Sequence, residues 1–240
     1  MHPRHRDAPM EIMISVDAGA YIGVRDRIIA LVGTANSSAV VPTCPRWRVQ
    51  DVVGHLAGLC EDWVSHHLEG YASDEWTAAQ VDRFAACTVD EVFERWYGAS
   101  ERFVLLGDDP VMGPPARWAF GDAVTHEADI RGAVGAERVP DAAVLLGLKG
   151  SISRWREILS RAKAPTLLVR APDAREWWLG TPGDPEATIV EAPAYEFFRA
   201  LTGRRSTGQV RRWKWSGESQ PYLAAGLPYP FQWASGDIQD

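Results

Sequence analysis

Apolar residues recur at helical spacing through residues 49–64, at Val49, Val52, Val53, Leu56, Leu59, Cys60, Trp63 and Val64. Such a stripe marks an amphipathic helix whose apolar face is turned into a bundle interior. The chain enters this helix through a turn bracketed by Pro42 and Pro45. His55 lies at the edge of the stripe, with Val52, Gly58 and Leu59 as its neighbours on the face. Past so little bulk the imidazole points inward, which is a ligand's position. His66 shares that face but sits three turns, or roughly 16 Å, further along, so it cannot join His55 on one metal. His66 and His67 read as the wet end of the helix.

Other helices follow from the same pattern. Residues 17–31 begin at a candidate N-cap, Asp17, carry Ile22, Ile28, Ile29 and Leu31, and stop at Gly33. Thr88 with Glu91 three residues on is a capping-box pattern, followed by Val89, Val92, Phe93, Trp96, Phe103 and Val104. Residues 116–134 form a further helix, and Pro140 and Asp141 open another that runs to residue 161. Residues 71–87 are polar and poorly periodic and are expected to be irregular. Residues 1–16 read as a flexible tail in which His2 and His5 have no structural role.

Beyond residues 162–165 the character changes. Runs 166–170, 175–179 and 187–191 are short and β-rich, and Pro193 suits the start of a helix closed by Gly203. Residues 210–215 alternate, Trp213 and Trp215 against Arg212 and Lys214, as a half-buried strand would. The tail, 221–240, rich in aromatic residues and proline, is expected to pack back onto the protein. The expected fold class is α+β: a helical bundle domain over 17–162 and a small α+β domain over 165–240.

Chemistry concentrates on the 116–134 helix. Asp122 and His126 are four residues apart and Asp129 follows three later, so all three share a face. With His55 from the other helix, Asp122 and His126 make two imidazoles and one carboxylate, a three-ligand set that leaves positions open on a divalent metal. The net charge of -7 and pI near 5.4 argue against nucleic acid or an anionic membrane as partner, despite the basic run Arg204, Arg205, Arg211, Arg212 and Lys214. Three cysteines, Cys44, Cys60 and Cys87, show no CxxC spacing and suit a reducing cytoplasm.

The run CPRWRVQDVVGHL, residues 44–56, resembles a signature of the maleylpyruvate isomerase family of mycothiol-dependent enzymes. DAVTHEADIRGAVG at 122–135 resembles that family's acid-x-x-x-His-x-x-Asp segment, and residues 194–217 look like its C-terminal domain. The resemblance implies a DinB-like four-helix bundle followed by the small domain. It implies a divalent metal, zinc foremost, held by His55 and His126, with Asp122 where the family usually has the longer glutamate. It implies mycothiol as cosubstrate, a small electrophile as the other partner, and either S-transfer or cis–trans isomerisation as the reaction. Arg83 is the nearest match to an arginine that the isomerases use beside substrate, and is the expected catalytic residue. Asp129 matches a family aspartate that either supports the metal site or ties helices together. The alternative is a ligand-binding member of the same fold without catalysis.

Overall fold

The computed structural model describes residues 16–107 and 113–240; the expected tail over 1–16, with His2 and His5, lies almost wholly outside them. Five long helices carry the first two-thirds of the chain: α1 (Val16–Val32), α2 (Val49–Val64), α4 (Val89–Leu106), α5 (Gly113–Val134) and α6 (Asp141–Arg161), with the shorter α3 (Asp74–Phe84) between α2 and α4. Helix α1 starts one residue before Asp17, which is therefore inside it. Helix α4 has the expected reciprocal cap, Thr88 N donating to Glu91 Oε2 at 2.7 Å and Glu91 N to Thr88 Oγ1 at 3.3 Å. Apolar stripes converge: Tyr21, Leu56, Trp96, Phe103 and Phe120 are all at most 1 % exposed. Fully burying a side chain of this size contributes about 1.5–3 kcal/mol.

Helix α3 is a correction to the irregular segment expected over 71–87. Ser73 Oγ accepts from Trp76 N at 3.1 Å and starts the helix, yet only Gln80 and Phe84 are buried along it. Too few apolar residues meet the core to give a periodic signal. The sign of a docked helix lies instead on α2, whose glycines make room for it: a Cβ on Gly54 would come 3.1 Å from the Phe84 Cβ, and one on Gly58 would come 2.8 Å from the Gln80 Cβ.

The rest of the chain builds a four-stranded sheet in the order β2-β1-β3-β4, from β1 (Leu167–Arg170), β2 (Glu176–Leu179), β3 (Thr188–Glu191) and β4 (Lys214–Trp215). Strand β1 runs antiparallel to β2, with Leu167 opposite Leu179, and parallel to β3, with Leu167 opposite Thr188. Helices α7 (Ala194–Leu201), α8 (Thr207–Arg211) and α9 (Gln220–Ala224) complete it. The alternating strand expected over 210–215 is cut to β4. Ser206 and Gln209 cap each other, at 2.9 and 3.0 Å, and hold the preceding residues in α8. The tail packs back as expected, through Trp233 Nε1 to Leu223 O at 3.1 Å and Tyr229 OH to Ala72 O at 3.1 Å. Buried residues of helices and sheet, Leu148, Trp155, Leu167 and Phe197 among them, belong to one continuous core.

Candidate metal centre

Helix α2 presents His55 and the facing α5 presents Asp122 and His126 one turn apart. One oxygen serves both imidazoles: Asp122 Oδ2 lies 3.2 Å from His55 Nε2 and 3.7 Å from His126 Nε2. The donor atoms of the three residues all lie within 4.8 Å of one another. Ligands on bonds of about 2.1 Å in tetrahedral array stand about 3.4 Å apart, so the carboxylate sits where a shared cation needs it. Although one methylene shorter than glutamate, Asp122 brings its oxygen beside both imidazoles. Both histidines are 5 % exposed, whereas the Asp122 side chain keeps 23 % exposure on the cavity side. Trp47, from the turn leading into α2, covers both rings at centroid distances of 5.3 and 5.9 Å.

Hydrogen bonds behind His55 decide which nitrogen it offers. Gln80 Nε2 donates to Asp62 Oδ2 at 2.8 Å, and since a carboxylate only accepts, this fixes the orientation of the amide. The amide oxygen is then left facing His55 Nδ1 at 2.7 Å, so Nδ1 is a donor and Nε2 is the nitrogen turned towards Asp122, where it would meet a cation. Asp62 is held in turn by Arg83 Nη2 at 2.7 Å. A metal-ligating histidine usually has an outer partner of this kind.

Arg83, the expected catalytic arginine, is not at the cavity. Its guanidinium is bound by Asp62 and, at 3.0 Å, by Glu61, both near the C-terminal end of α2. Its neighbours Val81 and Asp82 line the cavity, but Arg83 does not. Because Gln80 and Phe84 are the α3 residues turned into α2, Arg83 reaches past α2's last turns. It stands third in the chain from His55.

Asp129 anchors the other side. His126 Nδ1 lies 3.0 Å from Asp129 Oδ2, without the alignment of a hydrogen bond. Arg199 and Arg204 each approach Asp129 at 2.7 Å, so the residue ties α5 to α7 and to the turn after it. Burial alone would raise its pKa, but Arg204 and Arg199 hold it well below the carboxylate range. Cys44, His126 and Asp129 form a second cluster with metal-ligand chemistry. Two guanidinium groups already satisfy Asp129 and repel a cation, and burial together with Asp129 pushes the Cys44 thiol up, keeping it protonated. The first cluster therefore fits a divalent ion better. Burial works against the charge of Asp122, yet His126 and His55 outweigh it and bring its pKa down to about 2.

The site opens into a cavity of about 1090 Å³, lined by Tyr71, Trp76, Trp118, Arg154, Arg204 and Phe231 among others. Nothing in the local pattern marked Gln80, Asp62 or Tyr71 as part of the site; Gly58 opposite Gln80 was the available clue. His66 and His67 are exposed at the end of α2. Of the basic run, Arg205 pairs with Glu196 at 2.6 Å, Arg212 with Asp237 at 2.5 Å and Lys214 with Glu191 at 2.7 Å, the last two on the surface, where Arg211 also hydrogen-bonds Gln220 at 3.0 Å.

Among solved structures, the crystal structure of a mycothiol-dependent maleylpyruvate isomerase superposes with a TM-score of 0.51 at 13 % identity, covering 90 % of this chain and 95 % of that one. The chain has that enzyme's fold. A histidine-to-alanine mutant of the mycothiol-dependent isomerase matches equally, with a TM-score of 0.51 at 11 % identity and the same coverage. No family model and no curated protein matches the sequence.

Proposed function

We propose that the chain is a metal-dependent enzyme that uses a low-molecular-weight thiol, mycothiol foremost, on an electrophilic small molecule, by S-transfer or by cis–trans isomerisation. The observation that carries this reading is the convergence of His55, Asp122 and His126 on one wall of a large cavity, with the Nδ1 of His55 already engaged by Gln80. The shared fold with mycothiol-dependent isomerases supports the choice of thiol.

A divalent ion held by those three side chains would supply the Lewis acidity that lowers the pKa of a thiol placed beside it. The chain's own residues do the rest. Gln80 fixes the His55 ring, Asp122 contributes the negative charge, and Trp47 keeps water off both imidazoles. The cavity is large enough to admit a thiol and an electrophile together. The protein's own thiols are poor substitutes: Cys60 is buried against the Tyr21 hydroxyl at 2.8 Å and pushed up to about 12 by burial, and Cys44 is also raised.

Zinc-loaded protein given mycothiol and a panel of activated alkenes should form adducts or geometric isomers, read by chromatography and mass spectrometry. Chelation should stop the reaction and zinc should restore it. Turnover indifferent to metal removal would overturn the proposal.

A further inference from the structure

Charged side chains are packed together behind His126 with almost no solvent. Arg199 of α7 is fully buried, and its Nη2 is shared between Asp129 Oδ1, at 2.7 Å, and Asp240 Oδ2 of the tail. Its Nη1 donates to Thr125 O at 3.1 Å, so the guanidinium lies against the turn of α5 that carries His126. The Asp240 side chain is 2 % exposed and also stands 2.8 Å from Arg205 Nη2. Arg205 is held a second time by Glu196 at 2.6 Å, and Arg204 is held by Asp129 at 2.7 Å. In this cluster of described residues three guanidiniums therefore face three carboxylates, and the exposed Arg138 reaches Glu196 from the rim at 3.7 Å.

The tail is tied down so that Asp240 arrives there. Ser206 Oγ donates to Asp237 Oδ1 at 2.6 Å, and Gln209 takes both sides of Ile238, its Nε2 donating to the carbonyl at 2.7 Å and its Oε1 accepting from the amide at 3.2 Å. Gly132, on the turn of α5 that follows Asp129, leaves the room: a Cβ on it would come 2.9 Å from the Asp240 Cβ. Burying a carboxylate is costly unless a cation compensates it, and the cation that Asp240 meets is the one already on Asp129. Asp129 Oδ2 stands 3.0 Å from His126 Nδ1. Without the charge of Asp240, Arg199 and Arg204 would set two guanidiniums against the single carboxylate of Asp129, and an excess positive charge would face His126.

We propose, on the reading that a divalent cation sits at His55, Asp122 and His126, that Asp240 is a positioning residue for that centre: by balancing Arg199 it leaves the Asp129 charge to support His126, and so raises cation affinity. This role needs neither thiol nor electrophile. Asp240 acts through Arg199, Asp129 and His126, on the order of 10 Å from the metal-facing Nε2, where one unit of charge at an effective dielectric of about 20–40 changes cation affinity by about 4- to 15-fold.

The test is zinc affinity by chelator competition, on variants whose fold is checked by circular dichroism. Asp240→Asn keeps the shape of the side chain, removes the charge, and should bind zinc about 4- to 15-fold more weakly than wild type. Arg199→Met removes the opposing charge and should bind zinc more tightly by a similar factor, although both substitutions break a buried pair and lower stability. The double variant is the most disturbed in packing yet balanced in charge, and its zinc affinity should return to within about twofold of wild type. Arg205→Gln, which removes a cation on the other side of Asp240, should raise affinity by a smaller factor, and keeps the sign readable should Arg199→Met not fold. Zinc affinity in Asp240→Asn within about twofold of wild type, or weaker binding on loss of either charge sign, would overturn the proposal and leave the tail as a mere staple between helices and sheet. Affinities that follow the predicted signs in a protein whose cobalt form responds to no thiol would sink the thiol reading and still support the role of Asp240; a wild type that takes up no zinc would sink both.

Discussion

Replacing Gln80 with leucine keeps the volume between α2 and α3 but removes the amide that joins His55 to Asp62. Gln80 is fully buried, so no water takes its place. Two buried groups lose a partner, His55 Nδ1 at 2.7 Å and Asp62 Oδ2 at 2.8 Å. Asp62 keeps Arg83, which limits the loss on that side. Each orphaned group costs about 1–3 kcal/mol, and with one of them partly compensated the sum is about 3 kcal/mol. For a chain of this length that lowers the midpoint of thermal unfolding by roughly 6–12 °C in metal-free buffer. The second effect is specific to the site. Without the amide the His55 ring is free to rotate or change tautomer, and metal affinity should fall by about 10- to 100-fold, as for other outer partners of metal-bound histidine. Titration against a competing chelator reads this on protein that is still folded. Gly58→Ala is an independent route to the same end, because its Cβ would come 2.8 Å from the Gln80 Cβ and displace the amide without deleting a polar group. If both variants bind metal within twofold of wild type, the amide does not orient His55 and the reasoning fails.

Acid should expose the charge of Asp122 in the metal-free protein. Its folded pKa of about 2 lies below the unfolded value near 3.9, so its contribution is complete above about pH 4–5 and lost as the pH falls through about 2. The difference in unfolding free energy between wild type and Asp122→Asn should be about 2 kcal/mol near pH 6 and vanish towards pH 2; urea titrations across that range measure it. Trp47 is half-buried and lies on both imidazoles, so Trp47→Ala should cost about 2 kcal/mol, less than a fully buried tryptophan, while metal affinity drops more than stability does. Asp122→Glu should bind metal no more tightly than wild type in the same chelator competition, because the aspartate oxygen already stands 3.2 and 3.7 Å from the two imidazole nitrogens.

The helices that bury broad apolar faces, α2, α4 and α6, were legible because their periodicity is the packing itself. Helix α3 was not, since it meets the core through only Gln80 and Phe84 and its docking depends on two glycines of another helix. The strand expected over 210–215 failed for a different reason: its alternation is real, but the Ser206 and Gln209 cap competes for the first residues and wins. At the site, the spacing of Asp122 and His126 and the inward edge of α2 were enough to bring forward His55 and its two partners. Arg83 was assigned from its distance along the chain, which says nothing of which face of α3 it occupies. Tyr71 and Arg154 come from separate segments, and only tertiary packing brings them to one cavity, with Gln80 of a third segment buried behind His55.

The account stands on a cation at His55, Asp122 and His126 that takes up a thiol. Cobalt in place of zinc makes that visible, because a thiolate bound to cobalt has a charge-transfer band that water lacks. Titrating the cobalt protein with mycothiol should bring up the band, and His55→Ala and His126→Ala should not show it although both remain folded. A cobalt protein carrying a full complement of metal that responds to no thiol, or a band that survives both substitutions, would contradict the account.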